Sequence, residues 1–235
     1  AGGAPRLDVE GTAGALEVTL SADLDRGLAL AGEAPMRFDL SASADSAEPI
    51  FAQFGMAPLI AGTDGALLTV SGRGTPGRAL DTEIRVEGGG ESIAFAGTLQ
   101  LDNPGAVRGQ GQTSFQFEDM GAVMELAGAP GLYIPALEGQ AELGFIGNQS
   151  VTLSGLTGFS GDTAFSGSLT YSAQAGGGLL SGEITADRVA VETLAAMAAG
   201  PASLLQSTGS VWPDGPLDIG LAQRPTRGRI LFTVP

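Results

Sequence analysis

TAFSGSLTYSAQAGGGLLSGEITADRVAVETLAAMAAGP, residues 163–201, is the clearest copy of a unit that recurs along the chain, and its reading decides the fold. Phe165, Gly167, Leu169 and Tyr171 alternate with Ser166, Ser168, Thr170 and Ser172, a period of two that gives a strand one apolar and one polar face. Gly176, Gly177 and Gly178 predict a reversal, after which Leu180, Gly182 and Ile184 alternate against Ser181, Glu183 and Thr185 as a second strand. From Val191 the spacing changes to Val191, Leu194, Ala195 and Ala198, which predicts a short helix stopped by Gly200-Pro201. The unit is strand, strand, helix, stop.

Working outward, Leu80, Thr82, Ile84 and Val86 share one face, and the turn at Gly88–Gly90 leads back through Ile93, Phe95, Gly97, Leu99 and Leu101. After Asn103-Pro104-Gly105, Val107, Gly109, Gly111, Thr113, Phe115 and Phe117 continue the pattern. Asp119 then caps a helix with Met120, Val123, Met124 and Ala127 on its apolar side. Upstream, a strand at Leu7–Glu10, a strand from Leu16 to Leu24, a short partner at Leu28 and Leu30, and a strand from Met36 to Ala42 lead to a helix carrying Ile50, Phe51 and Phe54. Downstream of Pro201, strands are expected at Leu217–Leu221 and Gly228–Val234. The chain therefore reads as one β-rich repeat domain over 1–235, with copies at 7–58, 66–130 and 137–201 and a partial fourth at 209–235. Its turn-like start, AGGAPRLDVEG, lacks the basic and apolar segments of a signal peptide, so a piece of a longer chain is expected.

Composition agrees with an all-β chain: 38 glycines and 13 prolines stand against 6% aromatic residues, and 43% hydrophobic content supplies a core. The net charge is −15 and the 11 basic residues are scattered arginines, so no basic patch exists to neutralise phosphates or an anionic membrane. Nucleic acid is excluded as a partner, and membrane contact is expected only through segments absent from this chain. Histidine, cysteine and lysine are all missing, which removes Ser-His-Asp, Cys-His and Ser-Lys catalysis and zinc sites built on those ligands. Adjacent Glu118 and Asp119 fit a helix start better than acid/base work. GTDGA at Gly62–Ala66 and SGDTAFSG at Ser160–Gly167 are read as turns and not as calcium loops. No enzyme, cofactor or metal site is expected.

Areas sharpen the reading. Three or four strands, each ~33 Å long, make a sheet face on the order of 500 Å² per copy. A helix ~14 Å long and ~10 Å wide covers roughly a third of it. The remaining apolar surface must meet a second layer, curl onto itself or accept an apolar ligand, because large exposed apolar patches are rare. A closed sandwich or barrel with an ordinary core remains open on periodicity alone. Stacked repeats and face glycines at Gly97, Gly109, Gly111, Gly139, Gly167 and Gly182 favour a curved, open antiparallel sheet, a groove or incomplete barrel with a few short helices.

The strand-to-helix joint GEITADRVAVETLAAMAAGP, followed by WPDGPLDIG at Trp212–Gly220, resembles the AsmA-like proteins of bacterial envelopes, from about Leu16 onward. The resemblance implies an internal or C-terminal segment of a periplasmic β-groove protein, anchored in the inner membrane by an N-terminal helix. Relatives of this kind, TamB-like and bridge-like lipid transfer proteins among them, are thought to conduct phospholipids or support outer-membrane assembly. The family carries no catalytic motif. The expected function is a non-enzymatic groove that shelters lipid acyl chains on Phe95, Leu99, Phe115, Leu143, Phe145, Phe165, Leu169 and Ile184. The alternatives are a structural or adhesive β-solenoid or sandwich that binds partners through its acidic face, and a carboxylate-only glycan hydrolase.

Overall fold

The protein is described from a computed structural model covering residues 5–27, 33–53, 58–60, 64–103, 106–118, 120, 136–147, 149–174, 177–188 and 226–234. Among these residues twelve strands lie side by side in chain order. They are β1 (Arg6–Ala13), β2 (Leu16–Leu24), β3 (Met36–Ala44), β4 (Ala66–Thr75), β5 (Ala79–Gly88) and β6 (Glu91–Asn103). They continue as β7 (Ala106–Phe117), β8 (Leu137–Ile146), β9 (Ser150–Ser160), β10 (Thr163–Gln174), β11 (Gly177–Ala186) and β12 (Thr226–Thr233). A helix, α1 (Glu48–Ala52), follows β3. Neither β1 nor β12 has a second neighbour among the described residues, so the sheet is open and does not close into a barrel.

Tight turns set the meander. Gly89 and Gly90, at φ 60° and 83°, form the two-residue loop between β5 and β6, a conformation that follows the natural twist of the strands. Gly161 at φ 56° opens the loop from β9 to β10, which accounts for SGDTAFSG as turn chemistry. One reversal is tighter than expected. Gln174 pairs with Gly177, so Gly177 and Gly178 belong to β11 and not to the turn.

The ladder registers place one apolar face across the entire sheet. Leu20 faces Leu40, Leu40 faces Val70, Val70 faces Ile84, and Ile84 faces Phe95. Strand β9 holds its place in that face by a bulge. Leu153 and Leu156 are three residues apart, an odd spacing that would send them to opposite faces of a regular strand. An extra residue at Gly155, φ 58°, shifts the register against both neighbours, so that Leu153 faces Leu143 and Leu169 while Leu156 faces Gly167.

The last strand departs from the meander. β12 runs parallel to β11, with Gly182 opposite Ile230 and Ile184 opposite Phe232. Residues 187–225 separate the two strands, enough chain to return to the end where β11 began, which a parallel pair requires. The stretch 7–58 holds three strands and α1, and the stretches 66–130 and 137–201 hold four strands each among the described residues. The helices expected from Asp119 and Val191, the strand at Leu217–Leu221, the partner at Leu28 and Leu30, Phe54 and the Trp212 segment lie outside the described residues.

One end of the apolar face has a conventional core. Pro49 sits in the first turn of α1 and Glu48 is its acidic opening residue. Ile50 and Phe51 pack on Leu16, Ala42, Ala66, Leu68, Val86, Phe117, Met120 and Ile60. Glu91 is a polar intruder at the edge of this region, opposite Gly88 on the apolar face and only 3% exposed. Its carboxylate oxygen accepts the backbone N–H of Glu118 at 3.1 Å, which ties the start of β6 to the chain leaving β7. Glu91→Ala removes the acceptor of this part-buried hydrogen bond and is expected to cost about 1 kcal/mol, read as a lower urea midpoint, with Glu91→Gln losing less.

Candidate functional site: the apolar face

All eight residues singled out from the sequence stand on the one apolar face, as their registers require. Their surroundings differ. Phe95 is buried at 8% exposure, and the other seven are half-buried. Phe115 lies against the α1 core and stacks on Phe117 with ring centroids 5.9 Å apart, so it belongs to the capped end. Leu99, Phe95 and Phe145 form a second group. Phe95 on β6 meets Phe145 on β8 edge to face at 6.2 Å, although two strand spacings measure about 9.5 Å. Leu143 and Leu169 are joined through Leu153, and Gly182 completes that row beside Leu169.

Glycine makes this geometry possible. Between the two phenylalanines runs β7 with Gly109 and Gly111, and the Phe145 ring lies directly over Gly109. A Cβ at Gly97 would meet the Gln110 carbonyl and stand 2.6 Å from the Gly111 Cα, and a Cβ at Gly111 would meet the Ala96 carbonyl. Neighbouring Cβ atoms in an ordinary antiparallel pair are ~5 Å apart, so these backbones lean toward each other on the apolar side. Gly158, Gly167, Gly182 and Gly228 repeat the contact with their own neighbours. On the polar side of β8, by contrast, a Cβ at Gly144 would meet nothing within 4 Å. From β6 to β12 the sheet therefore coils with its apolar face inward.

Polar groups on this face are already satisfied. The hydroxyl of Thr82 donates to the Leu80 carbonyl at 3.0 Å and that of Thr113 to the Ala94 carbonyl at 2.9 Å. No buried side-chain polar atom lacks a partner among the described residues. Among the described residues the face thus offers shape and apolar contact, with no buried donor or acceptor left unmet for a polar substrate.

The opposite face carries the charge. Arg37 with Asp39 and Arg85 with Glu87 pair along single strands, at 3.8 and 2.6 Å, and stay exposed. On β1 a hydrogen bond from Arg6, then one with Ser21, holds the Asp8 carboxyl below the usual carboxylate range. A furrow of about 770 Å³ crosses this face from β2 to β8, between side-chain rows that include Ser21, Asp39, Glu83, Arg85, Gln112 and Gln140. Sequence reading missed this furrow, because alternation marks a face as polar without saying that its rows enclose space. Glu118 is exposed and Asp119 lies outside the described residues, so the pair adjacent in sequence forms no described acid/base site. Among the described residues no cluster of three metal-ligating side chains occurs, and no helix is long and apolar enough to cross a membrane.

No family model, curated protein or solved structure matches the chain.

Proposed function

We propose that the apolar face is a trough for lipid acyl chains, and that the chain is a non-enzymatic segment of an AsmA-like envelope protein supporting phospholipid transport or outer-membrane assembly. The observation that supports this reading is the incomplete covering of a continuous apolar face. Among the described residues, α1 caps only the end held by Ile50 and Phe51, while Leu99, Leu143, Phe145, Phe165, Leu169 and Ile184 remain half-buried with no second sheet layer over them. Each methylene that leaves water for such a surface contributes about 0.8 kcal/mol, so a chain of many methylenes is held without directed polar contacts. Head groups would stay in solvent and vary freely. On this reading the protein works in the periplasm, tethered to the inner membrane by segments outside this chain.

The test is extraction of purified protein with organic solvent followed by mass spectrometry, alongside capture of a fluorescent long-chain fatty acid. The expected result is co-purifying phospholipid and saturable capture. Leu143→Asp with Leu169→Asp places two charges on one cross-strand row and is expected to weaken capture at least about tenfold, the equivalent of losing two methylene contacts. Lipid-free protein with no capture, or a double variant that captures normally, would overturn the reading.

The second reading is an interaction module that uses its acidic face. The furrow from β2 to β8 favours it, since it is a described concavity whose largely apolar floor is flanked by hydroxyl, amide and charged side chains. Retention on a glycan or peptide array, lost on Glu83→Ala with Gln112→Ala and indifferent to the leucine variants, separates the two.

A further inference from the structure

We infer that copies of this chain join edge to edge, the free side of β12 in one copy pairing in parallel with the free side of β1 in the next. Both strands present unpaired backbone groups along one edge among the described residues. Such an edge is a template for another strand unless charge, proline or a covering element blunts it. β12 is poorly blunted. Leu231 is 53% exposed, Phe232 37% and Val234 48%, on both faces of the strand, and its sequence from Thr226 to Val234 contains no acid.

Charge selects the partner. The ionic groups of β12 are Arg227 and Arg229, whereas β1 carries Asp8 and Glu10 beside Arg6. Pairing β12 with β12 sets arginines together, and an antiparallel β1 pair that matches Arg6 to Glu10 sets Asp8 against Asp8. β12 against β1 opposes unlike charges and sets no like pair together, with Asp8 already held by Arg6 at 2.9 Å and Glu10 exposed next to it.

Shape and phase agree with that choice. Ile230 and Phe232 share the apolar face with Ile184, and Leu7, Val9, Gly11 and Ala13 share it with Ala22, Leu20, Val18 and Leu16. Setting Arg229 beside Glu10 brings Ile230 to Gly11, Phe232 to Ala13 and Val9 to Gly228. Large then meets small in each pair, the same alternation that joins Phe115 to Gly139 and Leu169 to Gly182 within the sheet. A Cβ at Gly11 would meet nothing within 4 Å, so the room for Ile230 is present. Because the two edges differ, the contact is head to tail and does not close on a pair. The apolar face would run unbroken from copy to copy, whether or not it carries lipid.

The experiment is sedimentation velocity on the full chain at ~0.15 M ionic strength across the micromolar range. The expected result is a mass that climbs with concentration through multiples of 23.5 kDa and does not stop at the dimer. Arg229→Glu is expected to weaken association at least tenfold, as is Glu10→Arg, each variant keeping the strand signal in circular dichroism. Mixing the two variants restores assembly, because each then meets an edge of opposite charge. Wild-type protein that stays at 23.5 kDa, assembly that stops at a two-fold dimer, an Arg229→Glu chain that assembles normally, or a mixture that fails to assemble would each overturn the inference.

Discussion

Ile50→Asp is expected to unfold the capped end of the sheet, with a loss of about 5 kcal/mol or more in chemical denaturation. Ile50 is 1% exposed, enclosed by α1, the first strands and Ile60. Removing its side chain alone costs about 2–5 kcal/mol through lost transfer energy and the cavity left behind. The carboxylate adds the penalty of an unpaired buried charge, since that cluster is apolar throughout. Domain stabilities are themselves only 5–15 kcal/mol, so little soluble protein should remain. Glu48→Ala, two residues away and exposed, removes a favourable charge at the helix start and should cost about 0.5 kcal/mol. If Ile50→Asp left the denaturation midpoint near that of Glu48→Ala, α1 would be an ornament and the covering of this end would need another explanation.

The second large effect concerns the coil of the sheet. Gly111→Val places a Cβ against the Ala96 carbonyl and 2.5 Å from the Gly97 Cα, both of them backbone atoms that cannot rotate away. The two strands must separate or flatten, and a loss of at least about 3 kcal/mol is expected in urea denaturation. Flattening would also part Phe95 from Phe145, so acyl-chain capture should fall in whatever fraction stays folded. Gly144→Ala is the matched control. It lies on the next strand but on the polar face, in open space, and should be neutral or stabilise by about 0.5 kcal/mol through a less flexible unfolded chain. The two substitutions should therefore differ by at least about 3 kcal/mol. Equal and small effects would mean that the apolar side is not the inside of the coil.

Much of this fold was legible because alternation is a local property. Leu80 to Val86 and Ile93 to Leu101 announce their faces within one strand each, and the glycines at Gly88–Gly90 announce the reversal between them. The helix at Ile50 and Phe51 was legible for the same reason, through a change of period and a proline at its start. Leu156 was not, since its spacing from Leu153 breaks the period, and only pairing with β8 and β10 shows that a bulge restores it. Glu91 was hidden too. An acid beside a glycine turn reads as solvated surface, and its burial depends on a backbone N–H at Glu118, which sits far away in sequence and beside it in space.

The candidate trough divides in the same way. The sequence by itself determined which residues share a face, because side chains alternate along any strand whatever surrounds it. Only the tertiary structure decided that the twelve strands form one open layer, that Phe115 joins the capped core while Phe145 reaches Phe95, that β12 turns parallel, and that the polar side holds a furrow. Each of those facts depends on which distant backbone lies alongside, and on how closely glycine allows it to approach. Covering a face is a property of its neighbours, and no single strand encodes it.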